Sequence, residues 1–229
     1  MTPAERFRMA YGARAETDYY FEGMGMVIFL TIITCGIFGF YVFYQLMKRM
    51  RDHNRRRLDL LESATEIAWQ QASAQGVAEE LRPNFERISV NLGVLRQMTT
   101  EFRDPAIWLI IVIGASLVTS LYLGFVPWMI GLILIDGDLV KHDQAEGAIE
   151  AELSAIFARL GQNVPAPDPA RQKAKQNYAG RIVATIFTCT IYGFWWLANA
   201  MSDGNRHFEW NWPWEDALVG AVQALAPAE

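Results

Sequence analysis

Three histidines are the residues of this chain best suited to bind a metal ion or to change charge near neutral pH. They lie in the runs Asp52-His53-Asn54, Lys141-His142-Asp143 and Arg206-His207-Phe208, and the 229-residue chain has no others. An imidazole is the commonest metal ligand and titrates close to neutrality. Acidic residues follow each histidine after eight to ten positions, so carboxylate partners are available along the chain.

The spacing around these histidines matches no established metal motif, because HxxxH, HExxH and CxxC are all absent. We therefore favour histidines that cap a helix or bond to the backbone. A metal site formed by His53, His142 and His207, or a pH sensor that uses them, is the alternative. We expect no cofactor and no catalytic residues, since the sequence has no nucleophile elbow, phosphate loop or paired catalytic set.

Three apolar stretches must position the histidines. They cover residues 24–47, 106–135 and 182–201, and the first two contain no charge. Each is long enough for a membrane segment, which needs about 20 apolar residues. With 52% hydrophobic and 20% charged residues, the chain is expected to be an all-α integral membrane protein whose partner is the lipid bilayer. Its net charge of −5 argues against nucleic-acid binding.

The apolar stretches contain an internal repeat. Residues 31–40 (TIITCGIFGF) and 185–194 (TIFTCTIYGF) are identical at seven of ten positions, and residues 119–125 (TSLYLGF) give a weaker copy. Each copy then runs into a polar stretch with one histidine. This pattern predicts three repeats of a bent membrane segment followed by an amphipathic helix. The residues expected to shape the bends are Gly36, Gly39, Gly124, Pro127 and Gly193.

The repeat resembles a bacterial membrane-protein family of uncharacterised function, whose small repeats centre on Thr-x-Gly-Ile-Tyr-Gly-x-Tyr-Trp. The first copy fits it at Thr34, Gly36, Ile37, Phe38, Gly39 and Tyr41, and the third at Thr188, Ile191, Tyr192, Gly193, Trp195 and Trp196. The third copy departs from it at Thr190, and the second keeps only Gly124, Phe125 and Trp128. The resemblance implies a bacterial inner membrane location and carries no activity.

Polar helices separate the apolar stretches. A break at Gln75-Gly76, with Pro83 in a first turn, predicts a soluble helical hairpin whose second helix covers residues 83–103. An acidic helix is expected at 138–160. We divide the chain into repeat 1 (1–75), repeat 2 (76–160), a Pro-rich linker (161–177) and repeat 3 (178–229). A regular apolar stripe should mediate helix packing or oligomer contact, and its members are Phe85, Ile88, Leu92, Leu95, Met98 and Phe102.

Two groups of residues are expected to contact lipid headgroups. The first is the basic cluster after the first apolar stretch, which fits the cytoplasmic side. The second is a set of tail tryptophans in a short helix that Pro213 opens. The expected anchors are Lys48, Arg49, Arg51, Arg55, Arg56, Arg57, Trp210, Trp212 and Trp214.

The charges flanking the third stretch conflict with three single crossings. Arg171, Lys173, Lys175 and Arg181 precede that stretch, yet alternation would place them outside. Equivalent repeats would also place all three histidines on one side. We therefore favour hairpins that enter and leave the bilayer on the same side, with Thr34 and Thr188 bonding the freed backbone groups. An inverted second copy is the alternative.

The features together predict a non-enzymatic structural or scaffolding protein of the bacterial inner membrane, with its soluble helices mainly cytoplasmic. Such a protein is expected to self-associate or to join a larger membrane assembly, and to shape the membrane. The alternatives are a metal- or pH-sensing protein with one histidine per repeat, and an oligomeric pore in which small residues of the second stretch pack closely.

Overall fold

The computed structural model describes residues 1–101, 104–118 and 126–225, and these contain helices and no strand. The all-α prediction is therefore confirmed for this part of the chain. The helices are α1 (Pro3–Gly12), α2 (Arg14–Thr17), α3 (Met24–Ile33), α4 (Ile37–Ala74), α5 (Ala78–Thr100), α6 (Pro105–Val118), α7 (Val126–Arg159), α8 (Tyr178–Phe187) and α9 (Ile191–Leu225), with a 3-10 turn at Pro169–Arg171.

Each apolar stretch is divided between a short helix and the start of a long one. The pairs are α3–α4, α6–α7 and α8–α9, in which 10, 14 and 10 residues precede helices of 38, 34 and 35 residues. Each long helix continues from apolar into polar sequence without a break. Among the described helices, none is both long and apolar enough to cross a membrane.

The first and third hairpins turn with the same backbone geometry. Cys35 and Gly36 have φ of +49° and +92°, and Cys189 and Thr190 have φ of +47° and +74°. The Gly36 N–H donates to the carbonyl of Thr31 over 2.8 Å, and the Thr190 N–H makes the equivalent bond, also 2.8 Å. These bonds satisfy carbonyl groups that the end of a helix leaves free.

A threonine at each turn joins the two helices. The Thr34 hydroxyl donates to the carbonyl of Leu30 over 2.7 Å and accepts from the N–H of Phe38 over 2.9 Å. Thr188 makes the same two bonds, at 2.8 and 3.0 Å. The expectation that these threonines bond the freed backbone groups is confirmed.

The bends lie at slightly different residues from those expected. Gly36 is in the first turn as expected, but Gly39 and Gly193 lie inside the first turns of α4 and α9. At Gly39 a Cβ would come within 2.8 Å of the ring of Trp128, so this glycine permits close helix packing and no bend. Pro127 is the second residue of α7, where a missing N–H costs nothing. Gly124 lies outside the described residues.

The interior contains two apolar cores. The hairpin core lies between the three hairpins and includes Val42, Phe43, Leu132, Trp196 and Leu197. The body core lies between α1, α4, α5, α7 and α9. Its members include Leu60, Leu61, Ile149, Leu153, Phe157, Trp214 and Leu218.

The α5 stripe belongs to the body core. Ile88, Leu92 and Leu95 are buried there and Phe85 packs against it. Met98 is half-buried, and Phe102 lies outside the described residues. Of the two roles expected for the stripe, packing within the chain is the one observed.

Two predicted helix starts are wrong. α5 begins at Ala78, five residues before Pro83, and Pro213 lies inside α9 and does not open a helix. Buried neighbours explain both differences, because Leu81 and Trp214 pack in the body core and hold the flanking turns helical. Tertiary packing of this kind overrides the local cost of a proline.

Several expected lipid anchors are buried in protein. Arg49, Arg56, Arg57 and Trp214 are 4%, 4%, 0% and 2% exposed. Arg49 donates to the carbonyls of Ala200 and Met201, and burial lowers its pKa to about 9. The anchor prediction is wrong for these four residues, because charge along a sequence does not report which helix face is covered. Lys48 and Arg51 are half-buried, as is Trp212, whereas Arg55 and Trp210 are exposed.

We predict that substitutions at equivalent positions of the two hairpin turns change the free energy of unfolding in opposite directions. Gly36→Thr should lower the free energy of unfolding by about 1–2 kcal/mol, because a side chain in the left-handed region is strained. Thr190→Gly should raise it, since glycine removes that strain at the equivalent position. Chemical unfolding of the purified protein in detergent measures both changes. Effects of the same sign would contradict the equivalence of the turns.

Candidate metal centre

The three long helices bring the three histidines together. His53 and His207 each lie sixteen residues beyond the first residue of α4 and α9, and His142 lies on α7. The ring centroids are 5.2 Å apart for His53–His142, 5.0 Å for His53–His207 and 5.4 Å for His142–His207. The second copy therefore places its histidine at the same end as the other two, and the alternative of an inverted second copy is wrong. All three side chains are buried.

A carboxylate orients two of the three rings. Nδ1 of His53 is 2.8 Å from Oδ1 of Asp18, and Nδ1 of His207 is 3.1 Å from Oδ1 of Asp143. An ionised carboxylate only accepts hydrogen bonds, so each Nδ1 carries the hydrogen and each neutral ring keeps its Nε2 lone pair. The two Nε2 atoms face each other at 3.1 Å.

Asp18 comes from the segment that follows α2. Arg56 and the indole N–H of Trp212 donate to its second oxygen over 2.8 and 2.9 Å. Burial opposes its ionisation, but His53 and Arg56 outweigh burial and hold the pKa of this carboxyl well below its usual range. Burial lowers the pKa of His53 to about 3. Burial also acts against charge on His207, but Glu146 and Asp143 raise its pKa above the usual value.

His142 is the third ring, and it is the one without an orienting partner. It is 1% exposed, and neither ring nitrogen has a hydrogen-bond partner among the described residues. Its Nε2 is 3.6 Å from Oε1 of Glu146, which is beyond hydrogen-bond distance. Leaving a buried polar group unpaired costs about 1–3 kcal/mol.

A second polar layer lies one helical turn beyond the histidines. Arg57, Glu146 and Asn211 each follow the histidine of their helix by four residues. Glu146 accepts from Nε of Arg57 through one oxygen and from Nδ2 of Asn211 through the other, the latter over 2.9 Å. The second oxygen is also 3.3 Å from Nε2 of His207. Glu146 thus connects the two layers.

Arg57 forms ion pairs with three buried carboxylates. Besides Glu146 it donates to Glu150 over 2.5 Å and to Glu215 over 2.9 Å. Burial raises the pKa of Glu150 to about 7. At Glu146 burial acts in the same direction, but Arg57 outweighs it and holds the pKa well below its usual range.

Four donor side chains converge at the centre. One ligand atom each from His53, His142, Glu146 and His207 lies within 4.8 Å of the others, and all four residues are buried. Three imidazoles and a carboxylate are a donor set that suits divalent transition metals. The structure thus brings together the three histidines of the alternative interpretation. The favoured interpretation, in which they cap a helix or bond to the backbone, is wrong for His53 and His207, whose Nδ1 atoms contact carboxylates.

Sequence reasoning missed Glu146, Arg57 and Asp18. Aligning the repeats on their histidines would have found Glu146 and Arg57, since both lie four residues further on. No such signal exists for Asp18, because it precedes the part of repeat 1 that can be aligned with the other copies.

Comparison with known families adds one finding. Residues 22–121 match the family model of a domain of unknown function, DUF4234. The DUF4234 match includes the first hairpin, α5 and α6, and of the three histidines it includes only His53. It agrees with the resemblance to a family of uncharacterised function. No curated protein and no solved structure matches the chain.

We expect the loss of the Arg57 side chain to lower the stability of the fold strongly, because three carboxylates bind to it. Arg57→Met should lower the free energy of unfolding by about 3–5 kcal/mol, because it leaves three buried carboxylates without their shared cation. Arg82→Met, which removes an exposed i,i+3 pair with Glu79, is the matched control and should change stability little. Chemical unfolding followed by circular dichroism measures both, and equal effects would contradict this account.

Proposed function

We propose that this chain is a non-enzymatic structural protein of a membrane, inserted into one leaflet by its three hairpins. The observation that carries the proposal is where large apolar side chains are exposed. Ile37, Leu117, Phe187 and Ile191 are 71%, 71%, 82% and 72% exposed, and all lie near the hairpin turns. Exposed apolar patches of this kind mark a surface that contacts a membrane or another protein.

The absence of charge favours a lipid environment over a protein partner. No Asp, Glu, Lys or Arg occurs at residues 24–47 or 106–135, and in the third hairpin the described helix α8 carries only Arg181, near its start. A charged side chain in the hydrocarbon region costs several kcal/mol, so chains that insert exclude charge there. Protein interfaces normally retain a polar rim, which these stretches lack.

The lengths of the short helices favour insertion without crossing. Ten residues of α-helix extend about 15 Å, against a hydrocarbon core of about 30 Å. Backbone at that depth must be satisfied by protein groups. The bonds of Thr34 and Thr188 provide such partners at two of the turns. The close approach of the three histidine rings favours entry of all hairpins from one side.

The proposal places the body on the cytoplasmic face of a bacterial inner membrane. The family resemblance and the exposed or half-buried cations Lys48, Arg51 and Arg55 near the ends of the apolar stretches support this side. The α5 stripe packs within the chain and therefore does not support self-association. Self-association stays a prediction, as does membrane shaping.

The hairpin turns carry natural probes for insertion. Cys35 and Cys189 are exposed at the two described turns. Each can be labelled alone, in Cys189→Ala and Cys35→Ala, with a fluorophore that reports polarity. After reconstitution into phosphatidylethanolamine–phosphatidylglycerol vesicles, both labels should shift to the blue. Lipids brominated near the ends of their acyl chains should quench both labels.

The matched control carries the label on the body. In a chain without Cys35 and Cys189, Ser89→Cys places it on the exposed face of α5. That label should be quenched by aqueous iodide and not by brominated lipid. If the turn labels are quenched by iodide as strongly as the label at residue 89, the hairpins do not enter the bilayer and the proposal fails.

A further inference from the structure

We propose that the buried histidine centre binds one Zn²⁺ ion through His53, His142, His207 and Glu146. This goes beyond membrane insertion and does not depend on it. The ion would join one long helix from each hairpin, because the ligands come from α4, α7 and α9. A set of four protein ligands is typical of structural zinc and leaves no open position for a substrate.

The size of the centre fits a tetrahedral ion. With zinc–ligand bonds of about 2.0–2.1 Å, ligand atoms in a tetrahedron are about 3.3 Å apart. The observed separation of Nε2 of His53 and Nε2 of His207 is 3.1 Å, and Oε2 of Glu146 is 3.3 Å from the latter. All four donor atoms lie within 4.8 Å of one another.

The hydrogen bonds around the rings have the pattern of a metal site. Histidines that bind metals almost always donate their other N–H to a carboxylate, carbonyl or water. Asp18 and Asp143 accept those bonds from His53 and His207 and so aim both Nε2 atoms at the centre. The two Nε2 atoms face each other at 3.1 Å, and Nδ2 of Asn211 lies 3.0 Å from Nε2 of His207. A cation bound by both Nε2 atoms would replace the bond from Asn211 and remove the repulsion between the two lone pairs.

His142 provides an independent observation. Both of its ring nitrogens are buried and unpartnered in the part of the chain that the structure describes. Binding to an ion would give one of these two nitrogens a partner. The rings of His53 and His207, by contrast, already have carboxylate partners.

The charge around the centre also fits a divalent cation. The carboxylates of Asp18, Glu146, Glu150 and Glu215 are buried around the guanidinium groups of Arg56 and Arg57, and Asp143 contacts His207. Carboxylates therefore outnumber guanidinium groups near the rings, which favours a bound cation.

A cavity lies beside the centre. It has a volume of about 200 Å³ and is lined by Asp143, Glu146, Glu150, Asp168 and Asn211 among others. Its carboxylates would attract cations, and Glu146 is both part of its wall and a ligand of the centre. We therefore expect the ion to enter from this cavity.

The first experiment measures metal content and stability of the full chain. The protein is purified in detergent without a histidine tag, its metal is removed with a chelator, and Zn²⁺ is then added back. We expect one zinc ion per chain by mass spectrometry of the metal and a higher midpoint of thermal unfolding with Zn²⁺ but not with Mg²⁺. Co²⁺ should give the visible absorption of a tetrahedral site.

The decisive variant is His142→Leu, since this ring makes no hydrogen bond that its loss would break. An apolar replacement of an unpaired buried group is close to neutral for folding. The variant should therefore keep the unfolding midpoint of the stripped protein and lose both the bound zinc and the zinc-dependent shift. Zinc content equal to that of the unmodified chain would overturn the proposal.

Two further variants test the orienting carboxylate. Asp18→Asn should keep one ion per chain and raise the zinc dissociation constant 10–100-fold, as loss of a carboxylate partner does at other metal histidines. Asp216→Asn, which changes an exposed carboxylate bound to Tyr11 and Arg14, is the control and should leave that constant unchanged. Equal dissociation constants for the two variants would contradict the assigned role of Asp18.

A proton is the competing occupant of the centre. If the reloaded chain binds no zinc, and nitrogen NMR shows a proton shared between His53 and His207, the proposal is overturned. None of these readouts changes if the hairpins fail to insert, so the two proposals can fail separately.

Discussion

The structure depends on a cluster of buried charge at the level where the three long helices meet. Arg57, fully buried, is surrounded by Glu146, Glu150 and Glu215, and the imidazoles lie one turn away. Buried ions are expensive unless each is paired and hydrogen-bonded, so few arrangements of the helices satisfy this cluster. It separates the hairpin core from the body core, and the fold on either side must fit its geometry.

That constraint supplies a register that apolar packing alone would not. A shift of α4 by one residue would replace His53 with its neighbour Asn54 or Asp52 and separate Arg57 from its three carboxylates. Apolar cores tolerate rearrangement with a modest loss of free energy, whereas a displaced buried charge costs several kcal/mol. The polar layers therefore fix how far each hairpin extends beyond the body. The close approach of the three histidine rings is the result.

The turns and the histidine positions of the first and third copies could be predicted from the sequence because both are local and repeated. The shared Thr-Cys pair marks the turn in these two copies, and His53 and His207 follow it at the same distance along the chain. The second copy lacks the pair, so its histidine could not be placed in this way. Which residues of the basic cluster are buried could not be predicted from the sequence. Lys48 and Arg55 remain at least partly exposed, while Arg56 and Arg57 in the same run are buried by carboxylates from α9, α7 and the N-terminal segment. Those contacts are distant in sequence and leave no periodic signal.

The two polar layers differ in symmetry for an electrostatic reason. Imidazoles from three helices can share a central cation, so the histidine layer can keep one residue type in all three copies. The layer beyond it cannot, because three arginines or three glutamates at that distance would repel in a low dielectric. Arg57, Glu146 and Asn211 instead form a donor–acceptor–donor set around one carboxylate. The three copies therefore carry different residues in this layer, because three identical charged side chains at that distance would repel one another.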